Sequence, residues 1–291
     1  MPRPDRRPAA PGRFVEIDGQ RIHLVERGRR GPLLLLLHGY LASQAIWQGA
    51  LDGLADRCRV KAIDLPGSGY SDRPAAAPYD LPWFADRVLA LADALGAGAD
   101  AGPLLLGGHS LGGAVALHAA VRRPERVAGL VLVAPFVYAP APPPGLRLAR
   151  RWPGPMRRFF RSPIGRRLVA SMVRRAVYTA SEQPHLVRAN ARRLLDHLDA
   201  AGGWHAATRV GLQAHEHCPG PELAARVRTP SLICWGLEDR AHDPGLGARL
   251  RCDLAAPSRL VYFPGAAHNC HEEQPRRFCA EVGRWLQELE V

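Results

Sequence analysis

Ser110 stands in a G-x-S-x-G sequence, residues 108–112, whose meaning depends on the elements beside it. Residues 103–107 form a short apolar run of strand length, and residues 113–120 are rich in helix formers. This pattern between a strand and a helix predicts a tight turn that lifts one serine hydroxyl to the helix N-terminus. The flanking glycines allow the two backbones to approach closely because they have no Cβ. The sequence therefore predicts that Ser110 is a nucleophile.

A serine hydroxyl becomes a good nucleophile only when a base takes its proton, and that base needs an orienting carboxylate. Downstream of the serine, residues 231–235 and 259–263 are predicted to be strands. The first is followed by a turn with carboxylates, residues 236–240, and the second by His268. Open α/β sheets build their sites at the carboxyl ends of strands, so these groups are expected to lie near the serine.

Four motifs in order give the chain a resemblance to the α/β-hydrolase family outside a central insert. Besides the serine motif they are His38-Gly39-Tyr40 after an apolar run, the sequence DLPGSGYS at residues 64–71, and the tail pattern H-x-x-x-x-E-x-P from His268 to Pro275. The resemblance implies a mostly parallel, eight-stranded sheet flanked by helices, with an inserted helical cap.

The resemblance also implies a role for each candidate. Ser110 would be the nucleophile, His268 the general base and then the acid, and Asp239 the carboxylate that fixes the histidine tautomer. The backbone N–H groups of Leu111 and Tyr40 would hold the oxyanion. The bracing residues near the site would be His38, Gly39 and Asp64, and the expected substrate-binding residues are His109, Phe136, Val137 and Tyr138.

Other residues compete for these roles. Glu238 and Asp243 flank Asp239, but the G-x-x-D spacing favours Asp239. His271 lies three residues after His268, yet the spacing to the following glutamate and proline selects His268.

The net charge of +12 is concentrated in the insert, residues 136–228, which holds 16 arginines and five acidic residues. The predicted division is a flexible tail at 1–13, a core at 14–135 and 229–291, and an arginine-rich helical cap at 136–228. Three interpretations of the basic cap remain open. In the first, the arginines form an ordinary solvated surface. In the second, they attract an anionic substrate such as an acyl carrier. In the third, the cap contacts an anionic membrane through Trp152, Phe159 and Phe160.

Helical periodicity within the insert predicts two apolar stripes that would form the acyl pocket. The first stripe contains Ile164, Leu168, Val169, Met172, Val173, Ala176 and Val177. The second contains Val187, Ala191, Leu194, Leu195 and Leu198.

Composition narrows the remaining possibilities. The first residues have no apolar core of the kind found in signal peptides, and no apolar stretch approaches 18 residues, so a cytoplasmic protein is expected. Six cysteines lack C-x-x-C spacing and are expected to be free and mostly buried. No metal site, cofactor or nucleic-acid partner is expected.

The residues thus favour a serine hydrolase that cleaves carboxylic esters of small molecules through an acyl-enzyme. A carbon–carbon bond hydrolase of the meta-cleavage type, and a cofactor-free perhydrolase or acyltransferase, would use the same three side chains. A non-catalytic binding protein would normally have lost one of them.

Overall fold

Strands and helices alternate along the chain in the computed structural model, which describes residues 12–97, 102–138, 142, 144–179 and 184–289. The strands are β1 (Arg13–Ile17), β2 (Gln20–Arg27), β3 (Leu33–Leu37), β4 (Arg59–Ile63), β5 (Leu104–His109), β6 (Val127–Val133), β7 (Ser231–Gly236) and β8 (Ser258–Phe263). The helices before β7 are α1 (Gln48–Leu54), α2 (Leu81–Ala94), α3 (Leu111–Arg122), α4 (Pro144–Arg151), α5 (Pro153–Arg161), α6 (Pro163–Ala176), α7 (Pro184–Asp199), α8 (Gly203–Glu216) and α9 (Gly220–Ala224). Those after β7 are α10 (Gly245–Asp253), α11 (Cys270–Glu273) and α12 (Pro275–Glu288).

All eight strands form one sheet in the order β1-β2-β4-β3-β5-β6-β7-β8. The β1–β2 and β2–β4 pairs are antiparallel, whereas the remaining pairs, from β4–β3 to β7–β8, are parallel. Central parallel strands are covered on both faces, so they consist of continuous apolar runs rather than alternating ones. The five leucines of β3 are all buried for this reason. The predicted fold class is confirmed.

Two apolar layers cover the two faces of the sheet. Side chains of a strand alternate between faces, so Leu33, Leu35 and Leu37 join one core cluster, whereas Leu34 and Leu36 join the other. The first cluster includes the buried faces of α2 and α3, and the second those of α1 and α12. This packing fixes the carboxyl ends of the parallel strands, where the site residues lie.

Helices α4 to α9 all lie between β6 and β7, the position of the predicted insert. The domain division remains a prediction, and its N-terminal tail falls almost wholly outside the described residues. One expectation about these helices is wrong. On α6, Ile164, Leu168 and Met172 are exposed rather than part of a pocket wall.

Four of the six cysteines, Cys58, Cys234, Cys270 and Cys279, are buried, as the sequence predicts. Among the described residues, no helix combines the length and apolar character that crossing a membrane requires.

Candidate active site

Ser110 occupies the turn between β5 and α3 with a backbone φ of 50°, a region that non-glycine residues rarely adopt. Its N–H donates to the Val133 carbonyl at 2.9 Å, which ties the turn to β6. A Cβ on Gly108 would lie 2.3 Å from the Gly112 carbonyl oxygen, and one on Gly112 would lie 2.3 Å from that of Leu37. The turn therefore needs glycine at both flanking positions.

Asp239 and His268 follow β7 and β8, and they are directly bonded. The His268 Nδ1–H donates to Asp239 Oδ2 at 2.8 Å, while Asp239 Oδ1 accepts the N–H groups of Ala241 and His242 at 2.8 and 2.9 Å. Burial favours a higher pKa for Asp239, but the neighbouring His268 and these hydrogen bonds outweigh it and hold the pKa below its usual range. The ionised carboxylate thus fixes the tautomer of His268 and leaves Nε2 able to accept a proton.

Neither competing carboxylate takes this position. Glu238 is exposed, and Asp243 uses Oδ1 to accept the N–H of Gly245 at 2.8 Å on the surface. His271 is buried with its ring centroid 4.2 Å from that of Trp47.

A cavity of about 390 Å³ brings most of the predicted site residues together. Among the described residues, no Asp, Glu, Lys or Arg lines it. The sequence-predicted residues in its lining are Tyr40, His109, Ser110, Leu111, Phe136 and His268. The remaining lining residues are Leu41, Ala42, Leu146, Val177, Asn190, Leu194, Gly211, Ala214, His215, Ala241, His242 and Asn269. Among the described side chains of the two expected apolar stripes, Val177 and Leu194 contribute to this lining.

Val137 and Tyr138 lie elsewhere, contrary to the expectation that they bind substrate. The Val137 carbonyl accepts the Gly220 N–H at 2.9 Å. The Tyr138 hydroxyl donates to Asp253 Oδ2 at 2.5 Å, and its ring carries the Arg249 guanidinium at 4.2 Å. The chain leaves β6 toward the inserted helices here. Tyr138 bonds this stretch to α10, Val137 bonds it to α9, and of the three residues only Phe136 lines the cavity.

Leu111 and Tyr40 both line the cavity, and their backbone N–H groups are the candidates for binding an oxyanion. Leu111 begins α3, so its N–H is one of those without an acceptor inside the helix. Tyr40 follows β3, and its hydroxyl donates to the Ala207 carbonyl of α8 at 2.8 Å. The Tyr40 side chain thus links the loop after β3 to the inserted helices.

His38, Gly39 and Asp64 make buried contacts in the loops beside the cavity. His38 donates from Nδ1 to the Gly39 carbonyl at 2.7 Å and accepts the Leu65 N–H at Nε2, at 3.0 Å. Asp64 accepts two backbone N–H groups and an imidazole N–H from β2. A Cβ on Gly39 would lie 2.7 Å from Nδ1 of His109, so glycine is needed for this close approach.

Sequence reasoning missed a cluster of imidazoles around His268. The His109 and His242 ring centroids lie 4.6 and 4.8 Å from that of His268, and His271 lies 5.0 Å from His109. Burial lowers the pKa of His242 to about 4, lowers that of His271 to about 3, and also lowers that of His109. These three rings are therefore neutral near pH 7 and place no positive charge beside His268.

Two consecutive glutamates hold the loop that carries His268. Glu273 accepts the Ala267 N–H at 2.7 Å and both the N–H and the hydroxyl of Thr179. Glu272 accepts the Tyr178 hydroxyl at 2.5 Å, and the buried carboxyl has a raised pKa because of desolvation. Glu273 is the glutamate of the tail pattern H-x-x-x-x-E-x-P, so the sequence already singled it out. No sequence pattern indicated the contacts of Glu272.

No group of three or more His, Cys, Asp or Glu side chains suited to hold a metal ion occurs among the described residues.

The alpha/beta hydrolase fold family profile matches residues 32–275, which is most of the chain. The chain belongs to the α/β-hydrolase fold family. It is 32% identical to the pimeloyl-[acyl-carrier protein] methyl ester esterase of Neisseria meningitidis serogroup C over 236 residues, covering 80% of this chain and 85% of that protein. The enzyme of the same name from Aeromonas hydrophila is 42% identical, but over 110 residues, which are 38% of this chain and 40% of the relative.

Among solved structures, a bacterial membrane phospholipase A is similar, with 26% identity and a TM-score of 0.76. The match covers 96% of this chain and 86% of the phospholipase. Together these similarities support an α/β-hydrolase enzyme that acts on carboxylic esters.

Proposed function

We propose that the enzyme hydrolyses carboxylic esters through an acyl-enzyme formed on Ser110, with His268 as base and Asp239 as its orienting carboxylate. The observation that carries this proposal is the Asp239–His268 hydrogen bond directly behind a cavity that Ser110 and His268 both line. The strained backbone at Ser110 adds support, because such strain concentrates at functional residues.

In the first step His268 Nε2 takes the proton of the Ser110 hydroxyl as the oxygen attacks the ester carbonyl carbon. The resulting oxyanion is held by the N–H groups of Leu111 and Tyr40, each worth about 3–4 kcal/mol in the transition state. His268 then gives its proton to the leaving alcohol, and the ester bond breaks. A water molecule loses a proton to His268 and attacks the acyl carbon. The bond from that carbon to the Ser110 oxygen then breaks, His268 returns the proton to this oxygen, and the acid is released.

The cavity favours an uncharged acyl group. It contains no ionised carboxylate or cationic side chain from the described residues, and most of its lining is apolar. A charged group buried there without a partner would lose its hydration. The relatives named for an acyl-carrier-protein ester make such a conjugate one natural substrate to test, since its ester end can be neutral while the carrier stays outside.

Carbon–carbon cleavage and transfer to an acceptor other than water need the same three side chains. The residue after His268 is Asn269, where the meta-cleavage hydrolases have tryptophan, and Asn269 lines the cavity. We therefore place ester hydrolysis ahead of carbon–carbon cleavage.

The decisive experiment measures hydrolysis of p-nitrophenyl esters from acetyl to palmitoyl by the purified full chain. Ser110→Ala should abolish turnover, and Ser258→Ala, a serine on the edge strand β8, should leave it unchanged. A burst of one p-nitrophenol per enzyme would reveal the acyl-enzyme. A folded wild-type protein that is inactive on every ester, or a Ser110→Ala variant with wild-type turnover, would overturn the proposal.

A further inference from the structure

Large apolar side chains are exposed on one part of the inserted helices. Of nine such side chains among the described residues, six belong to the segment from α4 to α6: Leu148, Trp152, Phe159, Ile164, Leu168 and Met172. On α6, Ile164 and Met172 are 69% and 58% exposed, and the i, i+4, i+8 spacing with Leu168 places them on one face. We call residues 144–176 the α4–α6 surface.

The same surface is strongly basic. Residues 144–176 contain ten arginines and no Asp, Glu or Lys. Among the described side chains, the ion pairs of these arginines are those of Arg161 and Arg166 with Asp199 of α7. Arg157, Arg158 and Arg161 also line a shallow depression on α5. Apolar side chains and arginines are therefore mixed over a surface whose own residues, 144–176, include no acidic side chain.

The charge decides what can cover this surface. A second copy of the chain in a two-fold dimer would bring the same patch onto itself, so that arginines would face arginines with no acidic side chain of residues 144–176 between them. An anionic lipid surface meets both requirements. Lipid phosphates pair with the guanidinium groups, while Trp, Phe, Ile and Leu side chains enter the boundary between headgroups and acyl chains.

We propose that the α4–α6 surface docks on an anionic lipid bilayer. The arginine-lined depression on α5 receives headgroup phosphates, and Trp152 and the exposed face of α6 enter the lipid. Docking would also bring the cavity close to the membrane, because Leu146 in its lining belongs to α4. This inference goes beyond the proposed ester hydrolysis and does not depend on it.

Vesicle flotation tests the proposal with the full chain carrying Ser110→Ala, so that lipid hydrolysis cannot alter the vesicles. We expect binding to vesicles of phosphatidylcholine with one-third phosphatidylglycerol, and little binding to phosphatidylcholine alone. Higher salt should weaken the binding, because exposed charges are screened. A protein that ignores anionic vesicles, or binds neutral vesicles equally well, contradicts the proposal.

Two matched pairs of variants locate the surface. The double variant Arg157→Ser/Arg158→Ser should lower the partition coefficient for anionic vesicles about 10- to 30-fold. The control Arg29→Ser/Arg30→Ser removes the same charge at two exposed positions outside the insert, and it should change the partition coefficient little. Equal losses in the two arginine pairs would show a non-specific charge effect and overturn the assignment.

The apolar face has its own pair. Met172→Ser should weaken vesicle binding, whereas Phe14→Ser, at an exposed aromatic of β1, should not. A different result would be that the protein binds purified acyl carrier protein in a way that requires Arg157 and Arg158, and does not bind vesicles. That result would show that the partner of this surface is an acidic protein, and it would refute the proposal. Circular dichroism checks that each variant is folded.

Discussion

Asp239→Asn is the substitution whose effect the structure predicts most closely. Asp239 Oδ1 accepts two backbone N–H groups, from Ala241 and His242, whereas Oδ2 accepts the Nδ1–H of His268. The asparagine must keep its carbonyl oxygen at the Oδ1 position, because an NH2 group there would face two donors. Its NH2 group therefore faces His268 Nδ1.

An NH2 group at that position is a donor, so Nδ1 of His268 must become an acceptor. The neutral imidazole then carries its proton on Nε2, which can no longer take the proton of the Ser110 hydroxyl. In a serine triad this change of tautomer costs about 10⁴-fold in turnover. We expect a similar fall in kcat/KM, which corresponds to about 5 kcal/mol of transition-state stabilisation.

The assay compares initial rates on the best p-nitrophenyl ester for the wild type, Asp239→Asn and the neighbouring control Glu238→Gln. The exposed control should retain full activity, and thermal unfolding should show that both variants fold. If folded Asp239→Asn kept more than a tenth of wild-type kcat/KM, the carboxylate would not be the group that orients His268.

Three further substitutions test other parts of the site. Burial lowers the pKa of His271 to about 3. Below pH 6.5 the unfolded chain therefore binds a proton at this residue that the folded chain does not bind. The free energy of unfolding then decreases by about 1.4 kcal/mol for each unit by which the pH is lowered. His271→Phe should therefore lose about 2 kcal/mol less than the wild type between pH 7 and 5 in urea unfolding; equal losses would contradict this. Gly112→Ala places a Cβ 2.3 Å from the carbonyl oxygen that ends β3, so unfolding should show a loss of about 3 kcal/mol, whereas Gly145→Ala, with open space around it, should cost nothing. Tyr40→Phe removes the hydrogen bond from the hydroxyl to Ala207 but keeps the backbone N–H. We therefore expect kcat/KM to stay within a few-fold of the wild-type value, while the free energy of unfolding falls by about 1 kcal/mol. A 100-fold loss of kcat/KM would show that the Tyr40 hydroxyl, and not its N–H, takes part in the reaction.

Much of the fold could be predicted because its determinants are local. The apolar run of β3 and the glycines around Ser110 encode a buried parallel strand and a tight turn in a few consecutive residues. The positions of Asp239 and His268 followed from their places after two strands, since parallel strands bring their carboxyl ends to one edge.

The remaining features depend on contacts between distant segments. The stripe on α6 has the periodicity of a buried face, but periodicity shows which residues share a face and not what covers it. The structure leaves Ile164 exposed, while Asn190 of α7 lines the cavity without any sequence signal. Val137 and Tyr138 were expected to bind substrate, yet the chain turns away from the cavity after Phe136.

The loop of His268 is held from two sides, and this arrangement joins the chemistry to the inserted helices. On the core side, Asp239 fixes the imidazole. On the other side, the Asn269 N–H donates to the Val177 carbonyl at 3.2 Å, and Glu272 accepts from Asn190 of α7 at 3.1 Å. Because Asn269, which follows His268, is bonded to Val177 in the lining of the cavity, a displacement of the inserted segment would also move His268. Contact of the α4–α6 surface with a membrane would then change the position of His268 as well as the access of substrate to the cavity.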